Sequence, residues 1–317
     1  MLAVGDCMIE ACFILPAKDD RAPDIALEGC TFTCGGSAAN FACTMGLLGE
    51  PVELLSHVGT DMFSTMLLDD LVAHGVGTRL VTRVDGQSSV TAIIIEPGGE
   101  RRFLSFRSPA EPDPADTDPD AALDGIDWLH ISGFVFQRHG TALRARRLME
   151  AARRKEIPVS CDPSPLLAQY ADSEEREFWS SFDVLFPNEF EATALTSHSD
   201  MDQAASALRA MGVRTVVVTL GPDGCVIATD RGLQTCIAPS VPNVVDTTGA
   251  GDAFAAGFIT GQRHGLGIEG CAVLGHLLAS QAITIIGGHG GAQAAATLLA
   301  EPMPQEVRSL IQELARH

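Results

Sequence analysis

The chain is expected to be an α/β protein built on a doubly wound, mostly parallel sheet. Apolar runs at Trp128–Ile131, Val159–Cys161, Val184–Phe186 and Val216–Thr219 alternate with helix candidates at Thr141–Lys155, Phe190–Thr196 and Asp202–Met211. That order lays parallel strands beside crossover helices. Two glycine turns, Gly35-Gly36 and Gly249-Ala250-Gly251, each open a helix of small residues. The length of 317 residues, 46% of them hydrophobic and 20% charged, gives ample core for one large domain or two smaller ones.

In chain order, Leu2–Val4 reads as a short strand ending at Gly5, and Met8–Leu15 as a second, interrupted by Glu10. Lys18–Asp24 is polar and reads as a loop, and Ala26–Cys34 alternates like a half-buried strand. The small-residue helix Phe41–Gly49 and the buried strand Val52–Val58 follow, then an amphipathic helix over Ser64–His74 stopped by Gly75-Val76-Gly77. Thr91–Glu96 and Arg101–Phe106 form a hairpin around Pro97-Gly98-Gly99-Glu100 that can project from the main sheet. The acidic, proline-rich stretch Pro109–Asp120 marks an exposed loop. Arg144, Arg146, Arg147, Arg153, Arg154 and Lys155 make the one basic cluster, and its helical spacing reads as a solvated face.

With 41 acidic against 21 basic residues, the formal charge of −20 argues against broad-surface binding of nucleic acid or an anionic membrane. A phosphate ligand would have to be held by local groups: backbone N–H groups, a helix terminus or a divalent cation. The nine cysteines show no C-x-x-C pair, which reads as a reduced, cytoplasmic protein. The histidines lack zinc-ligand spacing, and His57, His130 and His276 read as core or surface residues. No basic leader and no apolar run of membrane-spanning length is present in this sequence.

The run Asp246-Thr247-Thr248-Gly249-Ala250-Gly251-Asp252 follows the apolar Val241–Val245 and opens Ala253–Gly261, so it reads as a strand-to-helix turn. Gly249, Ala250 and Gly251 leave their N–H groups open to an anion at the positive helix end, and Asp252 sets a carboxylate beside it. A phosphate cradle with a base for a hydroxyl points to phosphoryl transfer. The alternative is that Asp252 caps the helix and the glycines serve a tight turn. Asn188 and Glu191 read either as a capping pair or as hard oxygen donors for magnesium. Thr219-Leu220-Gly221-Pro222-Asp223-Gly224 reads either as a plain hairpin turn with Pro222 and Gly224 in their usual roles or as a site where a nucleotide lies close to the backbone at Gly221. Gly35, Gly36 and Asn40 suit a neutral pocket wall for sugar hydroxyls, with Glu10 as a second acceptor, or else a tight turn with Asn40 an incidental residue of the helix start. Neither a G-x-x-x-x-G-K-[ST] loop nor a G-x-G-x-x-G after the first strand is present.

Taken in order, Gly5–Glu10, Gly35–Asn40, Asn188–Glu191, Thr219–Gly224 and Asp246–Asp252 resemble the ribokinase-like (PfkB-type) family of carbohydrate kinases over nearly the whole chain. The resemblance implies a single ribokinase-like domain over residues 1–317, with a small β lid from about 10–34 and 91–107 that is often used in dimer contacts. It implies Asp252 as the base, with Gly249, Ala250 and Gly251 as the anion hole. Asn188 and Glu191 would act around Mg2+, and Thr219, Gly221 and Gly224 would line the ATP site. Glu10, Gly35, Gly36 and Asn40 would face the sugar. It also suggests a potassium or other monovalent-cation site near Asp246 and Thr248. Most sugar kinases of this group carry Asp where this chain has Glu10, which leaves the substrate open. After Asp162 the chain also lacks the Arg of several fructokinase-like members. Arg107 either meets an acidic sugar or is an exposed strand residue. The expected activity is ATP-dependent phosphorylation of a primary hydroxyl of a sugar or sugar derivative. A nucleoside kinase of the same fold and a non-catalytic sugar or nucleotide sensor are the alternatives, and a homodimer through the lid is the expected assembly.

Overall fold

The computed structural model describes residues 1–17, 24–97, 100–164, 167, 176–289 and 298–316. Residues 18–23 of the expected loop, the hairpin tip Gly98-Gly99 and Pro165-Leu166 lie outside the described residues. In chain order the strands are β1 (Leu2–Val4), β2 (Met8–Ile14), β3 (Gly29–Gly35), β4 (Val52–Val58), β5 (Val76–Gly77), β6 (Val81–Arg83) and β7 (Val90–Ile95). They continue with β8 (Arg101–Phe106), β9 (Leu129–Ser132), β10 (Val159–Asp162), β11 (Val184–Leu185), β12 (Thr215–Thr219), β13 (Cys225–Thr229) and β14 (Gly232–Cys236).

Sheet order is β14-β13-β12-β11-β10-β9-β1-β4-β5, with β6 also on β4. Pairing is parallel from β12 across to β5 and antiparallel only for β12–β13 and β13–β14. The chain starts at β1 and builds outward both ways, so β1 beside β9 is the point where strand order reverses. Open α/β sheets bind ligands at that point, beyond the carboxyl ends of the strands. Strands buried on both faces read as near-continuous apolar runs, which is why Leu2, Ala3, Leu129 and Ile131 are all fully buried. Helices Ser37–Leu47 and Ala250–Arg263 cover one face, and His139–Arg154 and Met201–Met211 the other.

A second sheet of four strands, β3-β2-β7-β8, stands apart from the first. It uses the expected hairpin, with β7 pairing β8 in antiparallel register, and it leaves Phe32, Phe103, Leu104 and Phe106 exposed.

Two expectations are corrected. Val241–Val245 is not a strand: Pro242 lacks a donor, Val244 and Val245 are exposed, and the N–H groups of Val245 and Asp246 donate to the Ile283 carbonyl. The basic cluster is not wholly a solvated face either. Arg144 is buried at 6% exposure, with burial pulling its pKa down and Glu111 supporting its charge, while Arg146 lies 4.9 Å over the Phe178 ring. Helical spacing placed these residues on one helix, but the helix buries more than an apolar stripe.

Candidate active site

Helix Ala250–Arg263 begins at Gly249, whose φ of 77° lies in the left-handed region. Gly249, not Asp252, is the N-cap residue, and Asp252 stands inside the first turn. Its carboxylate leaves its own helix. Ser37 Oγ donates to Oδ1 at 2.8 Å, and Asn40 Nδ2 donates to Oδ2 at 3.0 Å. Both donors sit on the helix that follows Gly35-Gly36, so the two glycine turns meet across one buried carboxylate. Burial raises the Asp252 carboxyl to about 6; the Asn40 and Ser37 hydrogen bonds work against that rise and the Asp6 charge adds to it. The helix-cap alternative for Asp252 therefore fails on geometry.

Glu10, on β2, lies against this pair of turns. It is buried, raised to about 7 mainly by desolvation, and accepts a hydrogen bond from the Gly36 backbone. A Cβ at Gly35 would run into the Glu10 carboxyl, so only glycine lets that group approach the turn.

Asn188 and Glu191 form a complete capping box. Asn188 Oδ1 accepts from the Glu191 N–H at 2.9 Å, and Glu191 Oε2 accepts from the Asn188 N–H at 3.0 Å. The second Glu191 oxygen is not needed for the cap. Burial lifts Glu191 to about 7, with the Asn188 N–H opposing and Asp252 adding to the rise. Asp162, at the end of β10, is raised well above the carboxylate range by burial and by Glu191, Asp252 and Asp6. Carboxylates that raise one another in a buried site are what a divalent cation would relieve, and this oxygen donor set fits magnesium. Asp246 accepts from the N–H groups of Thr248 at 2.9 Å and Gly287 at 3.0 Å, while Thr248 Oγ1 is buried without a hydrogen-bond partner. These hard oxygens fit a monovalent cation. Asn188 and Thr219 stand side by side in a parallel bridge at the ends of β11 and β12, and Gly221 and Gly224 follow in the turn to β13.

Arg107 is not an exposed strand residue but a half-buried one outside the strand. It lies just past β8, donates to Asp6 at 2.8 Å and packs over Phe134 at 4.8 Å. Four residues of the site were missed in the sequence. Ser37 directly follows the Gly35-Gly36 pair, and Asp6 and Asp162 sit at strand ends, so position carried a signal for them. His289 sits after two glycines and carries none.

The raised carboxylates set a pH dependence of stability. Glu10 and Glu191 hold protons more tightly folded, at about 7, than at their ordinary 4.5. Their contribution is therefore fully present below 4.5 and is lost as pH rises to about 7. Thermal melts in chelator should show stability falling across that window, with added Mg2+ recovering it near neutral pH; a melt that is flat in pH and in Mg2+ would contradict the paired-carboxylate reading.

A carboxylate poised at a helix head, beside others that call for a cation, is equipment for moving phosphoryl groups between oxygens. Residues 1–295 match the pfkB family carbohydrate kinase, and the chain belongs to that family. It is 33% identical over 257 residues to an "Uncharacterized sugar kinase" of Archaeoglobus fulgidus, covering 78% of this chain and 98% of that protein. To the ribokinase of Bacillus subtilis it is 27% identical over 292 residues, covering 90% and 94%. The fold matches that of adenosine kinase from Sinorhizobium meliloti with a TM-score of 0.80 at 23% identity, over 98% of each chain. The protein is thus an ATP-dependent phosphotransferase, and its relatives include both sugar and nucleoside kinases. Among the described residues no helix is long and apolar enough to cross a membrane.

Proposed function

We propose that the protein transfers the γ-phosphoryl group of ATP to a primary hydroxyl of a sugar or sugar derivative, with Asp252 as general base. The observation that carries this reading is the Asp252 carboxylate itself, buried at the helix head, oriented by Ser37 and Asn40 and raised toward the pH at which a base is most useful. Gly249 and Gly251 direct N–H groups at the transferring phosphoryl group, Ala250 joins them when its N–H leaves the Thr247 carbonyl to which it donates at 3.3 Å, and the helix dipole adds to their field. Thr219, Gly221 and Gly224 line the ATP site. Asn188 and Glu191, with Asp162, would hold Mg2+ directly or through water. When bound, that ion offsets charge on the phosphates. Asp246 and Thr248 would hold a monovalent cation such as K+. Glu10, Gly35, Gly36 and Asn40 face the acceptor, and Arg107 serves it through Asp6.

The small sheet closes over the acceptor as a lid. Its exposed Phe32, Phe103, Leu104 and Phe106 support a homodimer through that face, in the cytoplasm. Membership in a family of phosphotransferases leaves the sensor reading without support. A nucleoside acceptor remains the second reading, because the same lid aromatics could pack against a base.

A coupled ADP-release assay over pentoses, hexoses, acidic sugars and nucleosides tests the proposal. Turnover with a sugar supports it, turnover confined to nucleosides moves the second reading ahead, and no ADP from any acceptor overturns both. In the same assay, Glu10→Asp shortens the acceptor by one methylene. KM for the best sugar should rise about tenfold, roughly one hydrogen bond's worth, with kcat little changed. An unchanged KM would remove Glu10 from the sugar site.

A further inference from the structure

Behind Asn40, on the side away from Asp252, lies a second cluster that the phosphoryl-transfer reading does not use. Cys43, Asp70, His74 and His289 each offer one ligand atom, and those atoms all lie within 4.8 Å of one another. They come from three separate parts of the chain: Cys43 from helix Ser37–Leu47, Asp70 and His74 from the end of helix Phe63–Ala73 at a spacing of four, and His289 from the segment after helix Ile268–Ala282. That spacing of four sets two ligands on one helix face. A tetrahedral zinc ion with nitrogen, oxygen and sulfur ligands needs ligand atoms about 3.3 to 3.8 Å apart, so the four close around an ion with small side-chain movements.

The hydrogen bonds point the same way. Asn40 Nδ2 donates to the Asp252 carboxylate, so Asn40 Oδ1 is the atom that faces His289 Nδ1 at 3.0 Å. His289 Nδ1 must then carry the proton and donate. In the neutral ring that leaves the Nε2 lone pair directed at Asp70 Oδ2 at 2.9 Å, two acceptors face to face. Something positive belongs between them. A proton would serve that one contact, whereas a metal ion also accounts for Cys43 and His74. His74 Nδ1 donates to the Asp70 carbonyl at 2.8 Å and lies 3.5 Å from Asp70 Oδ1, so in the neutral ring Nε2 keeps its lone pair. An imidazole with one N–H held by a carbonyl and the other nitrogen left bare is a usual setting of a metal-bound histidine.

We propose that Cys43, Asp70, His74 and His289 form a zinc site, distinct from the magnesium and monovalent-cation positions, that anchors the active centre from behind. A cavity of about 550 Å³ lined by Cys34, Met66, Asp70, His74 and His289 gives the ion a route from solvent. The zinc fixes His289, His289 fixes the Asn40 amide, and Asn40 fixes Asp252. The thiolate and two imidazoles select zinc over magnesium, which prefers oxygen alone.

Metal analysis of the full chain purified without chelator, followed by zinc titration of the chelator-stripped chain against a competing dye, tests this. About one zinc per chain is expected, with Cys43→Ser and His289→Ala each weakening uptake by at least roughly 100-fold and the exposed Cys30→Ser leaving it unchanged. Cobalt substituted into the parent chain provides a readout that needs no folded variant: a thiolate-to-cobalt charge-transfer band together with intense tetrahedral absorption. Failure to take up zinc would overturn the proposal and leave an imidazolium–carboxylate pair. Zinc bound equally by parent and both variants, or cobalt bound without the thiolate band, would overturn it too, by placing the metal elsewhere. None of these outcomes depends on which acceptor the kinase phosphorylates.

Discussion

Asp252→Asn should lower kcat by roughly 10² to 10⁴ while ATP binding is kept, the loss expected when a positioned general base is removed. The carboxamide nearly preserves shape and can still accept from Ser37, but its oxygen and nitrogen have no useful affinity for the hydroxyl proton. Its Nδ2 also meets Asn40 Nδ2, a donor against a donor, so Asp252→Ala is the companion variant that removes this contact. Parent kcat/KM should rise with pH up to a plateau above about 6, because the base acts only when ionised, and that limb should vanish in both variants. Steady-state kinetics, a pH profile and nucleotide titration read these effects. A variant that turns over the best acceptor at the parent rate would sink the assignment of the base.

How far the chain could be read follows from what each feature depends on. Strands β4, β9, β10 and β12 were legible to within two residues because a strand buried on both faces must be a short apolar run, whatever surrounds it. Strands β5, β6 and β14 were not, since they are short or carry exposed residues and hold their place by pairing with neighbours far away in sequence. Val241–Val245 misled for the converse reason: apolar residues there suggested a strand, while Pro242 and the Ile283 carbonyl decided the backbone. The glycine turns were visible because left-handed backbone at Gly36 and Gly249 and the close approach of neighbouring chain admit few residue types. What joins them was not. The contacts of Ser37 and Asn40 with Asp252 span more than two hundred residues, and His289 reaches Asn40 across 249. No spacing rule covers such distances, so a lone histidine after two glycines looked like any other.

The two glycines that flank Ala250 allow stability and chemistry to be separated. A Cβ at Gly249 would run into the Gly288 carbonyl, and the φ of 77° disfavours any other residue. Gly249→Ala should therefore lower stability by about 1 to 3 kcal/mol and shift the helix head, at a cost of roughly 10² in kcat. Gly251 differs. The nearest atom to an added methyl is Asp162 Oδ2 at 3.6 Å, an ordinary contact, and the residue sits in the first turn of a helix. Alanine gains about 0.5 to 1 kcal/mol over glycine inside a helix and less in its first turn, so Gly251→Ala should melt no lower than the parent. In the proposed anion hole its methyl would nevertheless stand where the transferring phosphoryl group approaches the N–H groups, and kcat should fall as steeply as in Gly249→Ala. Thermal melts run beside kcat decide the matter. If Gly251→Ala kept both its melting temperature and its rate, the helix head would not be the anion hole, and the loss in Gly249→Ala would be a matter of folding alone.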